Sequence, residues 1–391
     1  MRVVCISYHA CPYRQPGDGV SGGMNTYIRH IAAHLARAGV GVDIFTRGHG
    51  YLRRPSMTVA PGVILHHVDV RSPPPGRSRD MSGSMEEFSE QVMKRIARDR
   101  SSLVVHSHYW ASAEVGAFLG EVLDAPHVHT HHSFAECRHP LSSCNDCRCR
   151  QEARTAQKAD LLIASTDSET NHIVHSLGAN EDRVAVVTPG VDRRLFHRPR
   201  DSNVLSRSVG VRTVVFAGRL TRSKGVDVAL RAYELLARSL GGVRMVVAGG
   251  PREPFESSGA RRLSVSGSRV ADVVFLGKVH QARLASIFRR AALVLVPSRR
   301  ETFGFVALEA QACGAPVLAS SVSGLMTTVG DGSGGLRLST HAPEDWARAA
   351  GDILEDRETF DRLRHAGPRF ADRFRWSDAA SEALALFGRM V

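Results

Sequence analysis

Short apolar runs alternate along the chain with longer segments whose apolar residues recur at helical spacing. Arg2–Ser7 is mostly apolar and predicts a first strand, and Val40–Thr46 predicts the next one. Between them, Ile28, Ile31 and Leu35 fall at i, i+3 and i+7, which predicts a helix with one apolar face. A strand, a helix and a second strand in this order predict a parallel sheet with a right-handed crossover.

The same alternation runs on to Val184–Val187, stops, and begins again at Thr213–Ala217. The segment between them, Thr188–Asn203, is rich in Pro, Arg and Asp and lacks apolar periodicity, so we interpret it as a link between domains. Two such series predict an α/β fold of two doubly wound, Rossmann-like parallel-sheet domains facing a central cleft. Ligands of such folds bind beyond the carboxyl ends of the strands.

The domain boundaries follow from the position of this link. We place the N-terminal domain at residues 1–190 and the C-terminal domain at residues 204–374. The final region, Thr359–Met390, has helical character and no strand after it. We expect its last part, about residues 375–391, to pack back onto the N-terminal domain.

Composition excludes several classes of protein. The hydrophobic share of 43% and the charged share of 23% are ordinary for a globular chain and argue against disorder. Apolar runs such as Ala291–Val296 are far shorter than the roughly 20 residues that a membrane helix needs. The start of the chain lacks the apolar core and cleavage pattern of a signal peptide, which favours a cytoplasmic protein without membrane insertion.

The net charge of +12 indicates an anionic partner or a bias towards arginine. A nucleic acid and an anionic small molecule, such as a sugar nucleotide, are both candidates. The basic residues are scattered and only 6% of the residues are aromatic, whereas single-strand binding needs aromatic stacking platforms. These observations disfavour the nucleic acid.

Two glycine-containing loops follow predicted strands and precede helices. Gly22 and Gly23 let the backbone approach a ligand at a helix N-terminus, although such turns are common and the signal is weak. The loop Gly218–Gly225 carries Arg219 and Lys224, two cations suited to a diphosphate. Two solvated surface cations are the alternative, and the strand–loop–helix context favours the diphosphate.

A pair of carboxylates, Glu301 and Glu309, brackets the N-terminus of another predicted helix. The amides of its first turn are a natural anion site. A helix cap would explain Glu301 alone, but it leaves Glu309 unexplained among apolar neighbours. The residues between the carboxylates that offer these amides are Phe303, Gly304, Phe305 and Val306.

Three histidines lie within the four positions His129–His132 at the end of a predicted strand. A lone histidine there would most often be structural, but three together on the ligand side favour a site. Their spacing differs from that of the helical zinc-binding pair, so it does not indicate a catalytic metal.

Four of the seven cysteines crowd into one short stretch. In a reducing compartment such a cluster suggests a metal before a disulfide, so a structural zinc site is one hypothesis. Cys144 and Cys147 have the C-x-x-C spacing that is typical of zinc ligands, while Cys149 follows Cys147 by only two residues, which is unusually close for a further ligand. A thiol-bearing loop without metal is the alternative. The candidate zinc ligands are Cys137, Cys144, Cys147 and Cys149.

Together these motifs resemble those of the retaining GT-B glycosyltransferases of family 4, in order and spacing and over essentially the whole chain. Gly22–Asn25, Ile44–Arg47 and His106–Trp110 resemble more specifically the D-inositol-3-phosphate glycosyltransferases of mycothiol synthesis and, more distantly, the sucrose-phosphate synthases. The resemblance implies transfer of a sugar from a nucleotide-diphosphate-sugar with retention of configuration. It implies that no cofactor or protein nucleophile is required, because the leaving phosphate itself deprotonates the acceptor.

The resemblance also implies roles for individual residues. Glu309 would bind the ribose, and His132 would contact the transferred sugar near the reacting carbon. The implied catalytic residues are His132, Glu301, Arg219 and Lys224. The implied donor-binding residues are Gly22, Gly23, Arg219, Lys224, Glu301, Phe303, Gly304, Phe305, Val306 and Glu309. The implied acceptor-facing residues are Asn25, Tyr109 and Ser133, to which we add Arg148 because the cysteine stretch follows His132 closely.

Two departures from the inositol-phosphate branch bear on the acceptor. Val20 and Ser21 stand where that branch has Asp-Ala before the Gly-Gly pair, and Met85 stands where it has a phosphate-binding lysine. We therefore expect an acceptor other than inositol phosphate: an aminocyclitol, an aminosugar or a thiol metabolite of natural-product (antibiotic) biosynthesis. A true inositol-phosphate enzyme is the alternative, and the resemblance leaves a homodimer open.

Two further classes of function have less support from the sequence. A phosphorylase or epimerase on the same architecture is one; a phosphorylase would need a cofactor-bearing lysine in the C-terminal half, where Lys224 and Lys278 are the only candidates. A nucleic-acid-binding protein is the other, and only the net charge supports it.

Overall fold

The computed structural model describes residues 1–14, 22–48, 55–70, 82–96, 102–135, 147–198, 211–250 and 273–391. They divide into two compact units. Unit 1 contains Met1–Arg14, the described residues up to Pro189, and Trp376–Val391. Unit 2 contains the described residues of Gly190–Arg375. Each unit has its own sheet and its own hydrophobic core.

The described strands of unit 1 form one sheet in the order β3-β4-β2-β1-β5-β6-β7-β8. All neighbouring pairs are parallel except β3 with β4. The central strands β1 and β7 are buried and mostly apolar, as expected of parallel strands that are covered on both faces. Their bounds are β1 Arg2–Ser7, β2 Gly41–Arg47, β3 Ser56–Ala60, β4 Val63–Val68, β5 Leu103–His108, β6 His127–Thr130, β7 Leu161–Ala164 and β8 Val184–Val186.

Helices of unit 1 cover its sheet. The first, α1, buries the apolar face that the sequence predicts, including Ile28, Ile31 and Leu35. The last, α12, packs on α1, where the ring of Trp376 stacks on His30 with a centroid distance of 4.8 Å. The bounds are α1 Gly23–Arg37, α2 Ser82–Ile96, α3 Trp110–Leu123, α4 Cys147–Lys158, α5 Asp167–His175 and α12 Trp376–Phe387.

The described strands of unit 2 form a wholly parallel sheet in the order β11-β10-β9-β12-β13-β14. Its strands are β9 Arg212–Ala217, β10 Val243–Ala248, β11 Val273–Gly277, β12 Leu293–Val296, β13 Val317–Ser320 and β14 Gly335–Leu338. Its helices are α6 Val226–Ser239, α7 Gln281–Arg290, α8 Phe305–Ala312, α9 Ser323–Thr328, α10 Pro343–Glu355 and α11 Arg357–Ala371. The prediction of two doubly wound parallel sheets is confirmed.

Two predicted details differ from the structure. The region expected as one helical end, Thr359–Met390, is divided between α11 and α12, and the two helices belong to different units. The described part of the predicted link belongs to unit 2 from Gly190 onward, because Val191 and Phe196 are buried in its core and the amide of Val191 donates to the carbonyl of Phe374 at 3.1 Å. Apolar side chains at irregular spacing escape a search for periodicity.

One glycine of unit 2 fixes the loop between β9 and α6. Gly225 has a φ of +72°, and a Cβ there would lie 1.9 Å from the carbonyl oxygen of Pro297, at the end of β12. The close approach brings the loop that carries Lys224 against the loop that carries Glu301. Only glycine fits this position without strain.

We expect Gly225→Ala to lower the free energy of unfolding by about 1–3 kcal/mol, through the positive φ and the steric clash. Gly351→Ala is the matched control, because Gly351 lies within α10 and a Cβ there meets its nearest atom at an ordinary 3.7 Å. The control should be neutral or stabilising by up to roughly 1 kcal/mol. Equal unfolding free energies for both variants in urea titrations would contradict this account of the loop.

Candidate active site

The predicted donor residues of unit 2 lie where β9 and β12 end. After β9 come Gly218 and the exposed Arg219, then a short 3₁₀ turn that ends at Lys224. The Nζ atom of Lys224 lies 2.7 Å from Oε2 of Glu301, and the two side chains are only 22% and 17% exposed. The structure thus joins two of the predicted residues in a largely buried ion pair, with Arg219 on the same loop.

Glu301 is held from two further sides. Its Oε2 also accepts a hydrogen bond from the Ser298 hydroxyl at 3.2 Å, and its backbone carbonyl accepts from the amide of Gly324 at 2.9 Å. Such second partners restrict the carboxylate to one orientation. A carboxylate held in this way keeps the Lys224 ammonium group in place at the end of the strand.

Helix α8 begins directly after this ion pair. Its N-cap, Gly304, has a φ of +103°, and a Cβ there would lie 2.7 Å from both Leu325 and Thr328. The helix itself provides no acceptor for the amides of its first turn, and its dipole favours an anion there. Phe305 and Val306 supply amides of this turn, while the ring of the buried Phe303 packs edge-on against Phe305.

Glu309 lies one turn further along α8. Its residue exposure is 7%, and its neighbours Leu308 and Ala310 are fully buried. A carboxylate is rarely buried in a helix among apolar residues without a function or a partner. The predicted donor residues of unit 2 therefore occupy two adjacent loops and one helix at a single edge of the sheet.

In unit 1, the predicted residues Tyr109, Ser133 and Arg148 are brought together. Nη2 of Arg148 donates to the carbonyl oxygen of Ser133 at 3.0 Å and to its hydroxyl at 3.1 Å. The guanidinium lies over the ring of Tyr109, 4.9 Å from its centroid. Sequence spacing separates these residues by up to 39 positions, and only the fold shows that they form one cluster.

Two residues of this cluster, Glu152 and His9, were not predicted from the sequence. Glu152, 1% exposed, accepts from Nε of Arg148 at 2.7 Å and from the amide of Ala135 at 2.8 Å. The ring of His9 lies 5.0 Å from that of Tyr109, and burial together with the charge of Arg148 lowers the pKa of His9. Two features of the sequence could have indicated these residues. Arg148 and Glu152 are spaced i,i+4, as in a helical ion pair, and His9 follows directly after the first strand.

The predicted histidines belong to a larger buried network at the ends of β5 and β6. Ser107 Oγ lies 2.8 Å from His127 Nε2 and 2.7 Å from His129 Nδ1. Nε2 of His106 lies 2.9 Å from the hydroxyl of Thr130. These hydrogen bonds are made by uncharged side chains, while Nε2 of His129 and both ring nitrogens of His131 are buried without a hydrogen-bond partner among the described residues.

His132, the predicted sugar contact, has a left-handed backbone with a φ of +61°. Its Nε2 lies 3.0 Å from Nδ1 of His108, and its ring packs edge-on against Tyr27 with a centroid distance of 5.0 Å. Burial and neighbouring histidines lower the pKa of His132 to about 3. Positive φ in a residue with a ring is strained, which is typical of functional positions.

The glycine loop before α1 has a structural explanation. Gly22 is the N-cap of α1, and Gly23 is its first residue. Asn25, which we expected to face the acceptor, is fully buried; its Nδ2 donates to the carbonyl of Cys11 at 2.6 Å, and its Oδ1 accepts from the amide of Gly22 at 3.4 Å. These two bonds link the Asn25 side chain to the backbone of Cys11 and to the N-cap of α1.

The zinc hypothesis receives no support from the two described cysteines. Cys147 is a free, exposed thiol, whereas Cys149 is buried and disulfide-bonded. A sulfur in a disulfide is not a zinc ligand, so Cys149 would bind zinc only after reduction, and the structural zinc site stays a prediction. Cys137 and Cys144 lie outside the described residues. Within the described ranges, no three His, Cys, Asp or Glu side chains are grouped so as to hold a metal ion.

Met85, where we expected a lost cation, is a buried residue. Its side chain is 5% exposed and belongs to the apolar core of unit 1 with Phe88 and Val92. It is therefore not a surface position from which a phosphate-binding cation has been lost. Val20, the other departure, lies outside the described residues.

Two parallel-sheet units with polar sites at their strand ends define a GT-B glycosyltransferase. Residues 197–370 match the family described as "Glycosyl transferases group 1", and residues 22–190 match "Glycosyl transferase 4-like domain". The chain belongs to the group 1 glycosyltransferases and uses a nucleotide sugar.

Relatives and solved structures agree with this assignment. The chain is 37% identical to D-inositol 3-phosphate glycosyltransferase 2 of Catenulispora acidiphila, over 100% of this chain and 95% of that protein. It is 37% identical to the D-inositol 3-phosphate glycosyltransferase of Mycobacterium tuberculosis, over 100% and 83%. Sucrose-phosphate synthase of Thermosynechococcus elongatus superposes with a TM-score of 0.83 at 26% identity, covering 99% and 98% of the chains.

The fold is shared with a more distant solved structure, Anabaena Alr3699/HepE in complex with UDP and glucose. Its TM-score is 0.75 at 17% identity, with both chains covered completely. Across the part of the chain that the structure describes, no helix has the length and apolar character needed to cross a membrane.

We expect Lys224→Ala and Glu309→Ala each to lower kcat/KM for the donor by about 30-fold or more, because truncating one partner of a buried charged contact costs roughly 2–5 kcal/mol. Steady-state kinetics with a sugar nucleotide, on variants with a wild-type circular dichroism spectrum, measure this. Arg238→Ala is the control: its cation sits on α6 with its side chain 52% exposed, and activity should stay unchanged. Wild-type kcat/KM in both site variants would remove the donor assignment.

We expect acid to destabilise the folded protein through the buried histidines. Burial lowers the pKa of His127 to about 4 and that of His106 to about 3, so both stay neutral where an unfolded histidine takes up a proton. The unfolded state then binds more protons, so the unfolding free energy should be constant above about pH 7.5 and fall by roughly 1 kcal/mol per buried histidine between about pH 6.5 and 5.5.

Urea titrations at a series of pH values check this expectation. His175→Gln is the control, because His175 is exposed and its removal should leave the pH dependence unchanged. An unfolding free energy that is equal or higher at acidic pH would show that the network is not neutral in the folded state.

Proposed function

We propose that the protein is a retaining glycosyltransferase that moves a sugar from a UDP-sugar to a phosphorylated cyclitol, with D-inositol 3-phosphate as the acceptor. The observation that carries the proposal is the cluster of Arg148, Ser133 and Tyr109. It offers a guanidinium, a hydroxyl and a phenol in one place on unit 1. Arginine is well suited to bind the oxygens of a phosphate because its donors form a planar fork.

The electrostatics of the cluster support an anionic acceptor. Glu152 offsets part of the charge of Arg148, but the positive field still lowers the pKa of His9 and contributes to lowering that of His131. A phosphate adds two negative charges to such a site and requires a cation that is already in position. Arg148 meets this requirement because Glu152 and Ser133 hold it from two sides.

This proposal replaces our expectation of an acceptor other than inositol phosphate. That expectation depended on Val20 and on Met85 as a lost cation; Val20 lies outside the described residues, and Met85 is a core residue. The curated relatives at 37% identity are named D-inositol 3-phosphate glycosyltransferases, which favours the same acceptor. Nothing in the described residues supports the aminocyclitol, aminosugar or thiol acceptors, or a natural-product pathway.

On the donor side, the proposal assigns charge stabilisation to unit 2. Arg219, Lys224 and the first-turn amides of α8 bind the diphosphate and stabilise the negative charge that develops as the glycosidic bond breaks. Glu301 positions Lys224, and Glu309 accepts hydrogen bonds from the ribose. Lys224, which Glu301 holds in place, and Arg219 supply the charge that a divalent ion would otherwise bring, so we propose catalysis without a metal. UDP is the nucleotide that we propose for the donor, because the HepE structure contains it.

The test is acceptor selectivity in Arg148 variants. We expect Arg148→Lys to lower kcat/KM for D-inositol 3-phosphate by about 10–100-fold, because lysine keeps the charge but loses the fork. Activity with unphosphorylated inositol should change much less, since that acceptor does not use the fork. Donor binding, measured as UDP affinity by calorimetry, should stay as in the wild type.

Arg150→Lys is the matched control, two residues further along α4 on an exposed position. It should leave the kinetics with both acceptors unchanged. Equal losses with the phosphorylated and unphosphorylated acceptors would contradict the role of Arg148. A higher specificity constant for an unphosphorylated acceptor in the wild type would overturn the proposed acceptor itself.

A further inference from the structure

The contact between His108 and His132 joins two neighbouring strand ends of unit 1. His108 is the last residue of β5, and His132 follows β6 by two residues. Nδ1 of His108 lies 3.0 Å from Nε2 of His132, and the two rings are tilted by 32° at a centroid distance of 5.2 Å. This is the distance of a hydrogen bond between two imidazoles, and it contains one proton.

The surroundings of His108 give this bond a fixed geometry. His108 is 2% exposed, and its ring lies 4.1 Å from that of His106, which Thr130 holds through its hydroxyl. The buried ring of Tyr27 packs edge-on against both His108 and His132. The side chain of His108 therefore has little freedom to turn away from His132.

The bond constrains the chemistry of His132. Since Nε2 is engaged by His108, a polar contact from the imidazole ring to a sugar has to be made through Nδ1. Two neutral imidazoles can share one proton, but protonating both would place two like charges in a buried site. Burial and the neighbouring histidines lower the pKa of both rings, so the neutral pair is the stable state at neutral pH.

We infer that His108 is a positioning residue that holds the His132 ring in one orientation and one neutral tautomer during sugar transfer. The inference rests on the proposed function and on the role that the family resemblance implies for His132, which is contact with the transferred sugar near the reacting carbon. His108 acts through His132 and makes no contact with the substrate itself. Its removal should therefore affect the chemical step more than the binding of either substrate.

Two substitutions separate the bond from the shape of the side chain. His108→Phe keeps the ring and removes the polar atom, whereas His108→Asn places an amide group near the position of Nδ1. We expect His108→Phe to lower kcat by about 10–100-fold with little change in either KM, because a misplaced catalytic group loses rate more than affinity. His108→Asn should recover most of the loss, within about fivefold of the wild type.

His127→Asn is the matched control. His127 is also a buried histidine that is bonded to Ser107, but it has no contact with His132. Its replacement should leave kcat within about twofold of the wild type, provided the variant is folded. Equal losses in His108→Phe and His108→Asn would overturn the inference, as would a wild-type kcat in His108→Phe.

A measurement without turnover keeps the inference independent of the proposed acceptor. In wild-type protein labelled with ¹⁵N-histidine, long-range ¹⁵N–¹H spectra at neutral pH should show His132 as a single neutral tautomer. The His108→Phe variant should show a mixture of tautomers. A mixture already present in the wild type would overturn the inference, whereas lack of turnover with D-inositol 3-phosphate would overturn only the proposed acceptor.

Discussion

The parallel pairing of strands is the constraint on which both sites depend. In unit 1, β1 pairs in register with β2 and β5, and β5 continues the same direction into β6. Parallel strands all end at the same edge of a sheet, so the loops that follow them are brought together however far apart they lie in sequence. His9 and Tyr109 follow different strands, as His108 and His132 do at the ends of β5 and β6, and each pair is brought into contact for this reason.

Buried ion pairs then fix the positions of the cations in the loops and helices at the strand ends. Glu152 and Glu301 play equivalent parts in the two units, because each carboxylate is largely buried and binds a cation at 2.7 Å. A buried carboxylate is costly unless it is paired, so each pair restricts the cation to a narrow range of positions. Arg148 and Lys224 are thereby oriented in advance for anionic groups, which lowers the cost of ordering them when a ligand binds.

In unit 1, the ion pair of Arg148 and Glu152 is accompanied by a group of uncharged polar side chains on β5 and β6. The histidine and hydroxyl groups of β5 and β6 bind one another, and burial keeps the imidazoles neutral. Beside this uncharged network, Glu152 offsets part of the charge of Arg148, and together with burial the remaining positive field lowers the pKa of His9 and of His131. The arrangement suits an enzyme that binds an anionic acceptor yet needs an uncharged group near the transferred sugar.

The sequence alone determined the two series of alternating strands and helices, the positions of the loops that follow the strands, and the family to which the chain belongs. Apolar periodicity is local, and so are the glycine loops and the carboxylate spacing from Glu301 to Glu309. Tertiary structure alone decided that Met85 belongs to the core and that the Asn25 side chain binds the backbone of Cys11 and Gly22. It also decided that Glu152 holds Arg148 beside Tyr109. These facts depend on which residues meet across strands, and a side chain's burial and partners are properties of that packing rather than of its neighbours in sequence.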